Sequence, residues 1–177
     1  MDKEFLLRRI RQALEAVAHP YFDMTELGFQ GQLLTQLDKQ IPQHLLPQGA
    51  LLQQEYQKTM AQHGLTIRPD IIIHEPFDPV RHKSRKDGNV AMIELKRMAA
   101  QGEALGDFDS LIRMLDVLEY PMGVFINIGA QDTHAALIPA AAKGRITCMA
   151  ASLIDGKVQI TQGPRNPPHA HAQGITF

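Results

Sequence analysis

Arg68-Pro69-Asp70-Ile71-Ile72-Ile73-His74 and, after a polar spacer, Val90-Ala91-Met92-Ile93-Glu94-Leu95-Lys96 are the segments whose reading decides the fold. Each is short, apolar and rich in β-branched or long aliphatic residues, the composition of a buried strand. Pro69 and Pro76 bound the first, and Asp87-Gly88-Asn89 signals a turn ahead of the second. The pattern predicts strands over 67–74 and 90–96, joined by a polar hairpin loop that carries Arg81, His82, Lys83, Ser84, Arg85 and Lys86. Strand side chains alternate, so Glu94 and Lys96 share one face while Leu95 points into the core. An antiparallel neighbour carrying Asp70 sets its carboxylate beside Glu94. Two partly buried carboxylates at that separation repel, and a charge inside an apolar run is expensive unless paired. A divalent cation resolves the conflict: Mg²⁺ takes six oxygens and keeps several waters, so Asp70, Glu94 and the Leu95 carbonyl suffice. Such an ion polarises a phosphodiester and acidifies a bound water, and Lys96 would orient that water or balance charge developing on phosphorus. The simpler alternatives are a turn aspartate at Asp70 and a cross-face ion pair between Glu94 and Lys96.

Working outward, residues 3–18 read as a helix capped by Asp2, with Phe5, Leu6, Ile10, Leu14 and Val17 in one stripe, ending before His19-Pro20. Thr25 caps a second helix to about residue 41, with Leu27, Leu34, Leu37 and Ile41 inward. Residues 50–60 fit either a helix ending at Gly64 or a strand, since Leu52, Tyr56 and Met60 share a face at both periods. Residues 107–119 predict a helix with Phe108, Leu111, Leu115 and Leu118 inward, and 122–128 a buried strand. Residues 145–154 and 157–161 predict a hairpin about Asp155-Gly156. A single domain over 1–162 is expected, with an N-terminal helix within 1–20 and a core over 25–130. The proline-rich end, 163–177, reads as an extended tail; its His169 and His171 form an HxH pair for which a tail is the preferred reading over a metal site.

The Pro-Asp and Glu-x-Lys strands resemble the signature of the PD-(D/E)XK nucleases, the restriction-endonuclease-like superfamily. The resemblance covers about residues 25–130 and implies an α/β fold: a restriction-endonuclease-like core, its mixed central sheet flanked by helices in αβββαβ order, with an extra N-terminal helix. It settles 50–60 as a strand. It implies that Asp70 and Glu94 are metal ligands, that Lys96 is the catalytic lysine, and that Glu26 is the glutamate some members place on the first core helix. Glu55 resembles a further ligand found on the preceding strand. The implied cofactor is Mg²⁺ or Mn²⁺, and the implied activity is hydrolysis of DNA, with RNA open. Arg81, Lys83, Arg85 and Lys86 are candidate phosphate contacts, or simply a solvated loop. Arg97 points away from Lys96, towards scaffold or dimer contacts. One active centre per chain cuts a duplex most simply as a homodimer, and Phe5, Leu6 and Ile10 offer either its interface or a cover for the sheet. The alternative function is a non-catalytic nuclease-like module that binds nucleic acid or protein in a defence or repair assembly.

The 177 residues are 44% hydrophobic and 21% charged, with a formal net charge of −1. That balance argues against a binder held to nucleic acid by charge alone. Cys148 is the single cysteine, which excludes an internal disulfide and a cysteine-rich zinc site. The charged N-terminus does not read as a signal peptide, and no run of ~18 apolar residues predicts a membrane span. A cytoplasmic location is expected. There is no P-loop, Gly-x-Ser-x-Gly or dinucleotide fingerprint.

Overall fold

The computed structural model describes residues 1–54 and 59–163. Glu55 and the tail histidines lie outside the described residues. The two deciding segments form β2 (Ile71–His74) and β3 (Asn89–Arg97), an antiparallel pair in which Ile71 faces Ile93 and Ile73 faces Ala91. β1 (Leu51–Gln54) pairs antiparallel with the outer side of β2. β4 (Gly123–Ile128) lies parallel to β3, and β5 (Ile146–Ile154) parallel to β4. β6 (Lys157–Gly163) returns antiparallel to β5, giving a six-stranded mixed sheet in the order β1 to β6. Asp155 and Gly156 both have positive φ, 50° and 68°, as a two-residue hairpin turn requires.

Helices cover both faces. α1 (Lys3–Glu15) starts at Asp2, whose carboxylate accepts from the Phe5 N–H at 2.9 Å, and α2 (Glu26–Gln40) starts at Thr25, which caps the Gly28 N–H. They pack with Ile71, Ile73, Ala91, Ile93, Leu95, Val124 and Ile126 in one core. α3 (Met60–His63) is a single turn closed by Gly64 at φ 74°. α4 (Gln101–Val117) crosses the opposite face, where Phe108 meets Phe125 edge-on at 5.0 Å and Ile72, Met92 and Cys148 complete a second core. In chain order the elements run α2, β1, α3, β2, β3, α4, β4, so the short α3 interrupts the expected order of helix, three strands, helix, strand. No helix among the described residues is long and apolar enough to cross a membrane.

Three expectations need correction. α4 begins at Gln101 rather than 107, because the Glu103 carboxylate caps the Ala100 N–H at 2.9 Å and carries the helix across Gly102 and Gly106. The inward face of α2 is Phe29, Leu33 and Leu37; Leu34 is only partly buried and Leu27 is 59% exposed. Of the two readings of Leu6 and Ile10, a dimer interface or a cover for the sheet, their burial within the chain, where α1 packs on α2 and β6, fits the second. The segment 50–60 is mixed: a strand over Leu51–Gln54 and the start of α3 at Met60.

Ile10→Ala should therefore destabilise the fold by about 2–5 kcal/mol, the range for deleting a large buried aliphatic group. Leu27→Ala should change stability by less than about 0.5 kcal/mol, as expected for an exposed position. Urea unfolding of the two variants beside the parent measures both.

Candidate active site

β2 and β3 are hydrogen-bonded only as far as Ile71 opposite Ile93. Past that point Asp70 turns its side chain onto β3, and Oδ2 accepts from the Leu95 N–H at 2.7 Å, replacing the next rung of the ladder. The Asp70 carbonyl is held from the other side of the sheet by Gln30 of α2, whose amide donates to it at 2.8 Å. Gln30 is buried. Asp70 is thus fixed at its backbone and at its carboxylate.

Glu94 and Lys96 project from β3 onto the α4 face, since Leu95 and Ile93 belong to the opposite core. Glu94 is buried among that face's residues. The Asp70 and Glu94 carboxyls lie close enough to share a proton and shift each other. Burial pushes the Glu94 carboxyl well above the usual carboxylate range, with the charges of Asp70 and then Asp107 adding to it. Asp70 is raised too: burial and repulsion from Glu26 outweigh the Leu95 hydrogen bond. Burial alone would lower the Lys96 ammonium, but the surrounding carboxylates, Glu26 first and then Asp107, Asp70 and Glu103, raise it.

Glu26, at the first turn of α2, reaches the end of β3 from the opposite face. One oxygen accepts from the Arg97 N–H at 2.9 Å and the other lies 3.7 Å from the Lys96 ammonium. Arg97 itself turns to the α2 side and donates to the Phe22 carbonyl, a scaffold contact. The segment between β3 and α4 is pinned by Asn127, opposite Lys96 on β4. Its side chain accepts from the Ala99 N–H and donates to the Asp132 carbonyl, each at 2.9 Å.

Sequence reasoning missed two residues here. Gln30 was hidden by the misplaced inward face of α2, and only its position one turn after Glu26 marked it. Asp107 lies on α4 beside the buried Ala104, Phe108 and Leu111; one of its oxygens is buried without a hydrogen-bond partner, and burial pushes its carboxyl up to about 6. A carboxylate bordering an amphipathic stripe was the available signal.

The basic loop is not brought to this cluster. It leaves the sheet where His74 faces Asn89, at the other end of the β2–β3 hairpin. Arg81 pairs with Glu75 at 2.5 Å and Asp78 at 2.8 Å, Lys86 with Glu119 at 2.6 Å, and Arg85 stacks on Phe77 at 4.5 Å. A groove of about 210 Å³ between Met1, Pro47, Ala50 and Pro121 opens at that same end. Cys148 is inert, its thiol buried and pushed up to about 12.

The donor set suits a hard divalent ion. Asp70 and Glu94 offer oxygens held together against repulsion, the Leu95 carbonyl leaves β3 on the same edge as the N–H bound to Asp70, and a buried Asp107 oxygen lacks a partner. Among the described residues no three acidic or histidine side chains enclose one position, so two carboxylates with water completing the shell is the arrangement these residues permit.

In metal-free buffer the native protein holds protons on Asp70, Glu94 and Asp107 that an unfolded chain has released, because all three are raised. Their contribution to stability therefore falls as pH rises from the ordinary range near 3.8 through about 6 for Asp107. In EDTA at pH 8, Glu94→Gln should raise the melting temperature by about 2–4 °C, the shift that 1 kcal/mol produces at this size. Mn²⁺ should raise that of the parent and not of the variant. Thermal unfolding with and without the ion measures both.

No family model, no curated protein and no solved structure matches this chain.

Proposed function

We propose that this chain is a Mg²⁺- or Mn²⁺-dependent nuclease that hydrolyses phosphodiester bonds in DNA, built on a restriction-endonuclease-like core of α2, β1, β2, β3, α4 and β4. The observation that carries this reading is the contact between the Asp70 and Glu94 carboxyls, with the Lys96 ammonium on the same face of β3. A structural ion pair needs one carboxylate per cation, whereas here two are held together beside a lysine already paired with Glu26. The element order and the Pro-Asp and Glu-x-Lys strands agree with that reading.

Asp70 and Glu94 would hold the ion, with the Leu95 carbonyl beside them. When bound, the ion supplies charge to the scissile phosphate and acidity to a coordinated water. Lys96 has a different task. Its ammonium, kept protonated by the carboxylates around it, donates to the phosphate oxygen on which negative charge grows. Glu26 holds that ammonium, and because its second oxygen is tied to the Arg97 backbone it does so from a fixed place. Burial of Glu94 under α4 keeps bulk water from screening these charges.

Purified protein incubated with linear, circular and single-stranded DNA, and with RNA, should cut DNA in Mg²⁺ or Mn²⁺ and not in EDTA. Lys96→Ala should lower the cleavage rate by on the order of 10²–10³, as for loss of one transition-state donor, while DNA affinity is retained. Cleavage by no metal on any substrate, or undiminished cleavage by Lys96→Ala, overturns the assignment.

A further inference from the structure

The carboxylates around Lys96 are unequally provided for. Glu26 has the Arg97 N–H and the Lys96 ammonium. Asp70 has the Leu95 N–H, and its carboxyl shares a hydrogen bond with Glu94. Glu103 caps the start of its own helix. Asp107 alone of this group has an oxygen that is buried and takes no hydrogen bond from the protein. A buried carboxylate oxygen without a donor is disfavoured unless a ligand or an ordered water supplies one. Its position restricts the choice. Asp107 stands on α4 at the border of the stripe that packs on the sheet, and its charge acts on Glu94, Asp70 and Lys96. It does not join Asp70 and Glu94 in a three-carboxylate cage.

We propose that Asp107 is a positioning residue of the cation site, its free oxygen accepting a hydrogen bond from a water carried by the ion that Asp70 and Glu94 hold. This rests on the proposed cation site and adds to it a partner borne on α4. A hydrated Mg²⁺ presents waters as donors, and carboxylates acting through such waters order the shell and strengthen binding without touching the metal. The division of labour is then complete. Glu26 holds the lysine, Asp70 and Glu94 hold the ion, and Asp107 holds its water.

The test is Mn²⁺ affinity at pH 7.5, read from the electron paramagnetic resonance signal of the free ion, with no substrate present. The parent should bind one ion and Glu94→Gln should lose it. Asp107→Asn, nearly isosteric and relieved of a repulsive charge, should melt in EDTA no lower than the parent, yet bind Mn²⁺ about tenfold or more weakly, the scale of lost outer-shell partners. Glu103→Gln removes a charge from the same helix one turn earlier and reports the purely long-range effect; it should change affinity far less. Asp107→Asn binding as the parent does, or no more weakly than Glu103→Gln, overturns the inference while leaving the cation site standing. Absence of Mn²⁺ binding by the parent overturns both.

Discussion

Asp70 and Glu94 would repel if both were ionised and are nevertheless held side by side, and the surrounding fold is arranged so that neither can move away. The Asp70 carboxylate replaces a rung of the β2–β3 ladder by taking the Leu95 N–H. Its carbonyl is clamped by a glutamine that reaches through from the α2 core. Glu94 cannot withdraw, because Ile93 and Leu95 on either side of it are buried in that core and fix the strand's phase. A one-residue slip of β3 would carry both to the α4 face and turn Glu94 into the α2 layer. The register that buries the aliphatic side chains is therefore the register that forces the carboxyls together.

The two faces of the sheet contribute differently to this centre. The α1–α2 face supplies rigidity, through Phe29, Leu33 and the buried aliphatics, and sends two polar groups, Gln30 and Glu26, to the end of the hairpin. The α4 face supplies burial, with Phe108 seated on Phe125 and Asp107 alongside. The parallel placement of β4 beside β3 requires a crossover, and α4 is that crossover. Its first turn is consequently next to the end of β3, where Asn127 binds the connecting backbone on both sides.

Much of this was legible because it depended on local signals. Both helix caps, the Asp155-Gly156 turn and the four apolar strand runs are written in adjacent residues. The pairing of Asp70 with Glu94 followed from period-two alternation and a hairpin. What escaped depended on tertiary context. Gly102 and Gly106 argue against a helix, and a single side-chain cap at Glu103 overrules them. The α2 stripe was rotated because the sequence offers Leu27 and Leu34 as readily as Phe29 and Leu33, and only packing chooses. The acidic partners of the basic loop, Glu75, Asp78 and Glu119, lie outside the basic run, and one of them is more than thirty residues from the lysine it binds. Asp107 was invisible as a site residue while the helix was thought to begin there.

The central claim is that the Asp70–Glu94 contact exists to hold a divalent cation beside Lys96. Anomalous diffraction from crystals equilibrated with Mn²⁺ tests it directly. The expected result is an anomalous peak between the two carboxylates, bound to an oxygen of each, with Lys96 unliganded nearby. A well-ordered structure in which the carboxyls still share their hydrogen bond, with no peak between them and Mn²⁺ absent or bound elsewhere, would contradict it.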